Sequence, residues 1–144
     1  MKVQIINKSK HALPEYHTAG AAAFDVQANI DAPITLGSLE RAVVPTGLFV
    51  RVPDGHEMQV RSRSGLPAKH GIMVGNSPGT VDSDYRGELQ IILINVSPET
   101  YTVQDGDRIA QVVVAPVDRV EWVEIQEHED STERGEQGFG HTGR

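Results

Sequence analysis

The densest group of reactive side chains lies in residues 75–88. There the turn formers Gly75, Asn76, Ser77, Pro78 and Gly79 lead into Asp82, Asp84, Tyr85, Arg86 and Glu88. Carboxylates, an aromatic ring and a guanidinium presented on a loop suit the wall of an active site. The same residues suit a hairpin whose Asp and Gly only shape the turn. Taken alone, the stretch favours that plainer reading, because Asp and Gly head the list of turn formers. The run that follows, 89–94, is apolar and rich in β-branched residues, which predicts a buried strand.

Further reactive residues are spread along the chain. In Arg63-Ser64-Gly65-Leu66-Pro67-Ala68-Lys69-His70-Gly71, Ser64 suits an N-cap, Pro67 a first helical turn and Gly71 a helix stop. A short helix starting there would aim free N–H groups outward beside Arg61 and Arg63, the geometry of an anion site. A capped helix with two solvated arginines satisfies the same pattern. Gln111 is the polar member of the apolar run 109–114 and, if partly buried, needs partners. Those partners are either a structural network or a ligand. Asp25, in Phe24-Asp25-Val26-Gln27-Ala28, points away from the Phe24/Val26 face of a short strand. It suits either a surface carboxylate paired with an arginine or a charge near a cation.

The elements that must hold these residues are β. Segments 2–7, 24–28, 41–52, 56–61, 89–94, 100–103, 109–114 and 120–125 read as short strands separated by Gly, Pro and Asp. Pro45 and Gly47 mark a bulge or corner inside the third of them. Such spacing predicts an all-β sandwich or barrel with one short helix, rather than βαβ units. Two parts are expected, a core over 1–127 and an arm over 128–144. The arm holds Arg134, Phe139 and His141 among four glycines, which cannot form a helix or strand unaided. A frayed end is one reading. An arm that orders on a ligand is the other, with Phe139 stacking on a ring and backbone N–H groups cradling phosphates. The isolated Phe139 favours the arm.

Composition excludes several chemistries. With no cysteine there is no disulfide, thiolate metal site or cysteine nucleophile. The six histidines lack metal-ligand spacing, and no Walker loop, nucleophile elbow or dinucleotide fingerprint occurs. Most of the net charge of -7 sits in 118–136, where eight acids face two arginines. An acidic total argues against gripping a nucleic-acid polymer. It does not argue against one small phosphate ligand held by a local cluster, for which Arg61, Arg63, Lys69, Arg86, Arg108 and Arg134 are available. Apolar runs fall far short of the ~20 residues that span a bilayer, and residues 1–9 show no leader pattern. A soluble, cytoplasmic protein with no membrane partner is expected.

Five segments in order, 23–28, 63–71, 75–88, 106–114 and 134–143, resemble the five motifs of the trimeric all-β dUTPases (deoxyuridine triphosphate nucleotidohydrolases). The most specific is Gly-Thr-Val-Asp-Ser-Asp-Tyr-Arg-Gly-Glu, residues 79–88. The resemblance implies a distorted β-barrel or jelly-roll-like sandwich with a flexible Gly-rich arm. It implies hydrolysis of dUTP to dUMP and pyrophosphate, which limits uracil in DNA and supplies dUMP for thymidylate synthesis. By likeness, Asp82 is the general base for a water attacking the α-phosphorus, and Gln111 helps place that water. Tyr85 packs on the deoxyribose, while Asn76, Thr80, Val81 and Gln90 line a uracil slot. Arg63, Ser64 and Gly65 hold phosphates. On the arm, Phe139 covers the uracil as Arg134, Gly140, His141 and Thr142 close over the β- and γ-phosphates. Magnesium is expected on the triphosphate, with Asp25 near it through water or else supporting an arginine. A homotrimer with shared sites is implied. Gln137 and His141 depart from the glycine and serine often found in the family's arm, and His141 offers an imidazole in place of a hydroxyl donor.

Overall fold

The computed structural model describes residues 1–127 together with 132, 133 and 135. In chain order the elements are β1 (Gln4–Asn7), β2 (Phe24–Gln27), β3 (Ile34–Leu36), β4 (Arg41–Arg51), β5 (His56–Arg61), α1 (Gly65–His70), β6 (Ile72–Val74), β7 (Gly79–Val81), β8 (Glu88–Asn95), β9 (Tyr101–Val103) and β10 (Arg108–Pro116). Two four-stranded sheets, ordered β1-β4-β8-β6 and β2-β10-β5-β7, face each other, and β3 pairs with β9 alongside. Every recorded pairing is antiparallel. The result is the expected all-β, jelly-roll-like sandwich with one short helix.

Alternation builds the core. Along β8, Leu89, Ile91, Leu93 and Asn95 point inward while Gln90 is exposed and Ile92 and Ile94 are half-buried. The apolar run thus alternates rather than being buried on both faces. Val26, Val44, Met58, Val60, Ile72 and Val112 meet the inward residues of β8 in one cluster of buried side chains. Burial of each such side chain is worth about 1.5–3 kcal/mol. The Pro45/Gly47 break is a bulge: the register passes from Pro45↔Gln90 to Phe49↔Glu88. Gly47 sits there at φ +69°, and an added Cβ would lie 2.8 Å from Ser9 backbone.

Asn95 is fully buried and yet satisfied. Its Nδ2 donates to Leu36 O (2.9 Å) and Glu99 O (2.7 Å), and its Oδ1 accepts from Ser97 N (2.9 Å). One amide therefore ties β8 to the β3–β9 pair.

Three short strands, β3, β6 and β7, were not visible in the sequence pattern. The strand expected over 120–125 does not form among the described residues. Val120, Trp122, Val123 and Ile125 are instead exposed, Trp122 at 90%. Alternating apolar and acidic residues give that segment a β pattern, but a strand needs an edge to receive its N–H and C=O groups, and 120–125 takes no register with a described strand. The residues expected as the arm fall almost entirely outside the described ones, Arg134, Phe139, Gly140, His141 and Thr142 included. No helix among the described residues is long and apolar enough to cross a membrane.

Candidate active site

The expected site residues fall into two groups at opposite ends of the second sheet. The first group gathers where β2, β10 and the end of β5 meet. Gln111 on β10 lies opposite Asp25 on β2 and opposite Arg61 on β5. Its Nε2 donates to Ser62 O at 2.8 Å, which fixes the amide plane. Asp25 stands among cations: Arg63 Nε is 3.0 Å from Oδ1, and Arg108 Nη1 is 3.4 Å from Oδ2. The Asp25 side chain is only 16% exposed and takes the second of its expected places, beside arginine. Arg63 also donates from Nη1 to Arg108 O at 2.9 Å. One carboxylate therefore balances one of two guanidinium groups, and the cluster keeps a positive charge suited to an anion.

Ser64 and Gly65 are exposed beside this cluster at the start of α1. Ser64 occupies the N-cap position with helical angles (φ −52°, ψ −34°) and makes no side-chain cap bond. Its hydroxyl is not spent on the helix. Gly71 ends the helix as its sequence suggests, at φ +66°, with its N–H returned to Pro67 O. A helix of six residues has little macrodipole, so the charge of the site comes from Arg63 and Arg108.

Arg108 is the member of this cluster that pattern reading undervalued, naming it only as one available cation. Alternation puts positions 108 and 111 of a regular strand on opposite faces. The register, however, sets Arg108 against Gln27 and Ala110 against Val26, with a bulge between them. Asp25 and Gln27 are two apart on β2, so their partners Gln111 and Arg108 share a face. Adjacent apolar Ile109 and Ala110 between polar Arg108 and Gln111 were the available signal.

The second group is the hairpin from β7 to β8. A cavity of about 330 Å³ is lined by Val43, Thr80, Val81, Asp82, Tyr85, Glu88, Leu89, Gln90 and Ile92. Thr80, Val81, Asp82, Tyr85 and Gln90 are thus brought together. Asn76 does not line it; an added Cβ at Gly79 would meet the Asn76 amide at 3.1 Å, which places that side chain over Gly79. The loop is internally braced. Tyr85 N–H returns to Asp82 O, the Tyr85 hydroxyl donates to Glu88 O (3.0 Å), and Arg86 donates to Ser83 O (2.7 Å) and Tyr85 O (2.8 Å). Arg86 shapes the turn. Asp82 has an exposed carboxylate at the mouth.

One chain does not unite the two groups. On β5, Val81 pairs with Met58, so Asp82 is level with Glu57, whereas Gln111 is level with Arg61. Four residues along a strand and two strand spacings separate them, roughly 16 Å.

A family model described as dUTPase matches residues 9–143 of the chain. The deoxyuridine 5'-triphosphate nucleotidohydrolase of Fusobacterium nucleatum subsp. nucleatum is 56% identical over 144 residues, covering 100% of this chain and 98% of that protein. That of Chlamydia trachomatis serovar D is 54% identical over 136 residues, 94% of each. Among solved structures, a Staphylococcus bacteriophage 80alpha dUTPase with dUPNHPP superposes with a TM-score of 0.88 at 27% identity, covering 99% of both chains. The anion cluster, the braced hairpin and these likenesses agree, and the chain belongs to the dUTPase family.

Proposed function

We propose that this dUTP diphosphatase cleaves its substrate by attack of water on the α-phosphorus, at sites assembled between copies of a homotrimer. The observation that carries the shared site is the separation of Asp82 from Gln111, too far apart in one chain to act on one phosphorus. Asp82, exposed at the end of β7, takes the proton of the attacking water. The new P–O bond forms as the bond to the bridging oxygen breaks, and pyrophosphate leaves with that oxygen. Gln111, its amide plane fixed by Ser62, places the water from a neighbouring copy. Arg63, Ser64 and Gly65 take the phosphates, and positive charge already in position stabilises the transition state without reorganisation.

The hairpin cavity takes the nucleoside. Thr80, Val81 and Gln90 line the uracil slot, Asn76 borders it, and Tyr85 excludes a ribose 2′-hydroxyl. Polar groups that match uracil alone reject cytosine more strongly than shape could. Residues 128–144 act as an arm, with Phe139 over the base and Arg134, Gly140, His141 and Thr142 over the outer phosphates. Magnesium needs a donor set, and among the described residues no three carboxylate or imidazole groups converge to hold a metal. Both Asp25 oxygens already face arginine. We therefore read the ion as part of the substrate, carried on the triphosphate, where it offsets negative charge. The substrate is an intracellular nucleotide, which favours a cytoplasmic home.

Mixing separately inactive Asp82→Asn and Gln111→Ala proteins, unfolding and refolding them together, tests both chemistry and assembly. A shared site predicts recovery of about a quarter of the wild-type rate of pyrophosphate release from dUTP, since random assembly pairs two intact halves that often. No recovery would mean that each site lies within one chain. Release from dCTP, dTTP and UTP at matched concentration checks the substrate, and dUTP must exceed them all.

A further inference from the structure

The anion cluster includes a residue outside the expected set. His17 Nε2 stands 3.2 Å from Nη1 of Arg108 and 3.7 Å from Oδ2 of Asp25. Arginine has no acceptor, so the guanidinium N–H donates and Nε2 presents its lone pair. Arg108 is the loosely held member of the arginine pair. It is half-exposed and 3.4 Å from Asp25, whereas Arg63 is 26% exposed and 3.0 Å away. The same Arg108 nitrogen is shared between carboxylate and imidazole.

The loop carrying His17 is pinned at both ends. Tyr16 and Phe24 meet edge to face, with ring centroids 5.5 Å apart, and a turn bond from Ala21 N to Thr18 O lies between them. An aromatic pair of this kind adds about 0.5–1.5 kcal/mol to the closure of the loop. His17 is therefore held over Arg108 although its ring is largely exposed.

We propose that His17 is a positioning residue for the substrate polyphosphate. With Asp25 it sets the Arg108 guanidinium beside Arg63, so that Arg108 becomes a further phosphate-binding residue. An arginine fixed before binding loses less side-chain entropy when a phosphate arrives. The proposal rests on the reading that Arg63, Ser64 and Gly65 take the phosphates.

Full-length His17→Leu, which keeps bulk and removes the acceptor, and His17→Gln, whose amide oxygen can stand where Nε2 stood, separate the possibilities. The probes are dUTP turnover and inhibition by inorganic tripolyphosphate. His17→Leu is expected to raise the KM for dUTP and the Ki for tripolyphosphate about three- to tenfold, the scale of one charge-assisted hydrogen bond partly screened by water. kcat should stay within about twofold, and His17→Gln should recover most of the lost affinity. Arg108→Gln should weaken tripolyphosphate at least as much, and adding His17→Leu to it should change nothing further. Unchanged affinity in His17→Leu, equal losses in the Leu and Gln variants, or additive losses in the double variant would overturn the proposal. Should wild-type protein bind tripolyphosphate but not hydrolyse dUTP, the functional reading falls while the His17 comparison still decides this one.

Discussion

Tyr85 stands where it does because Gly87 has no side chain: a Cβ on Gly87 would overlap the Tyr85 phenol. Gly87→Ala must displace the ring, and discrimination of dUTP against UTP, read as the ratio of kcat/KM values, should fall about tenfold or more. Asp82→Asn removes the proton acceptor and leaves the cavity intact. Nucleotide binding by calorimetry should survive while turnover drops about a hundredfold or more. Asp105 belongs to stability rather than chemistry. It accepts the Ile30 N–H at 2.9 Å and lies 3.2 Å from His11 Nε2, and the Ile30 bond foremost holds its carboxyl below the ordinary range. A lowered carboxyl stabilises above its unfolded value of about 3.9 and loses that contribution as pH falls through the lower folded value. Between about pH 6 and pH 3 the urea midpoint of the wild type should therefore fall further than that of Asp105→Asn. At this scale Asp82, Tyr85 and Arg63 stood out as candidates because each sits in a dense local motif, and Gln111 because it is the polar member of an apolar run. Arg108 and His17 did not: Arg108, 83 residues from Asp25, is brought to it by the pairing of β10 with β2, and His17, 8 residues away, by the fold of a loop.

Among the elements, α1 was readable from its own ends: Pro67 in the first turn and Gly71 at φ +66° both act locally. Among the long strands, β5 was readable from alternation, and β4, β8 and β10 from stretches rich in apolar and β-branched residues. β3, β6 and β7 have three residues each, too few for any period to show, and they exist because a neighbour pairs with them. The opposite error at 120–125 has the same cause, since pairing and not pattern decides a strand. Asn95 shows how much such pairing relies on one group. Asn95→Leu leaves the Leu36 and Glu99 carbonyls and the Ser97 N–H without their buried partner. A loss of about 2–4 kcal/mol is expected, seen as a lower urea midpoint with little change in slope.

The whole molecule holds its two groups of candidate residues at opposite ends of one sheet. Motif order along the chain could show five segments that resemble the family's motifs, but not which of them a single copy brings together, because that is set by register. Deleting residues 134–144 tests the third component. Turnover of dUTP should nearly vanish while circular dichroism and the thermal midpoint stay at wild-type values, as none of the described core contacts would be removed. A truncated protein that keeps full activity would exclude the arm from the reaction.

The bulge at Ile109 makes the start of β10 sensitive to insertion in a way its composition does not suggest. Surface turns ordinarily accept insertions and deletions. Here the extra residue acts as a phase shift, letting one strand serve the core with Ala110 and Val112 and still present Arg108 beside Gln111. Removing Ile109 would restore strict alternation with Arg108 still opposite Gln27 and on the Gln111 face, at the loss of one buried side chain. A substitution here changes one group; one more residue inserted between Arg108 and Ala110 would turn Arg108 to the other face of the sheet.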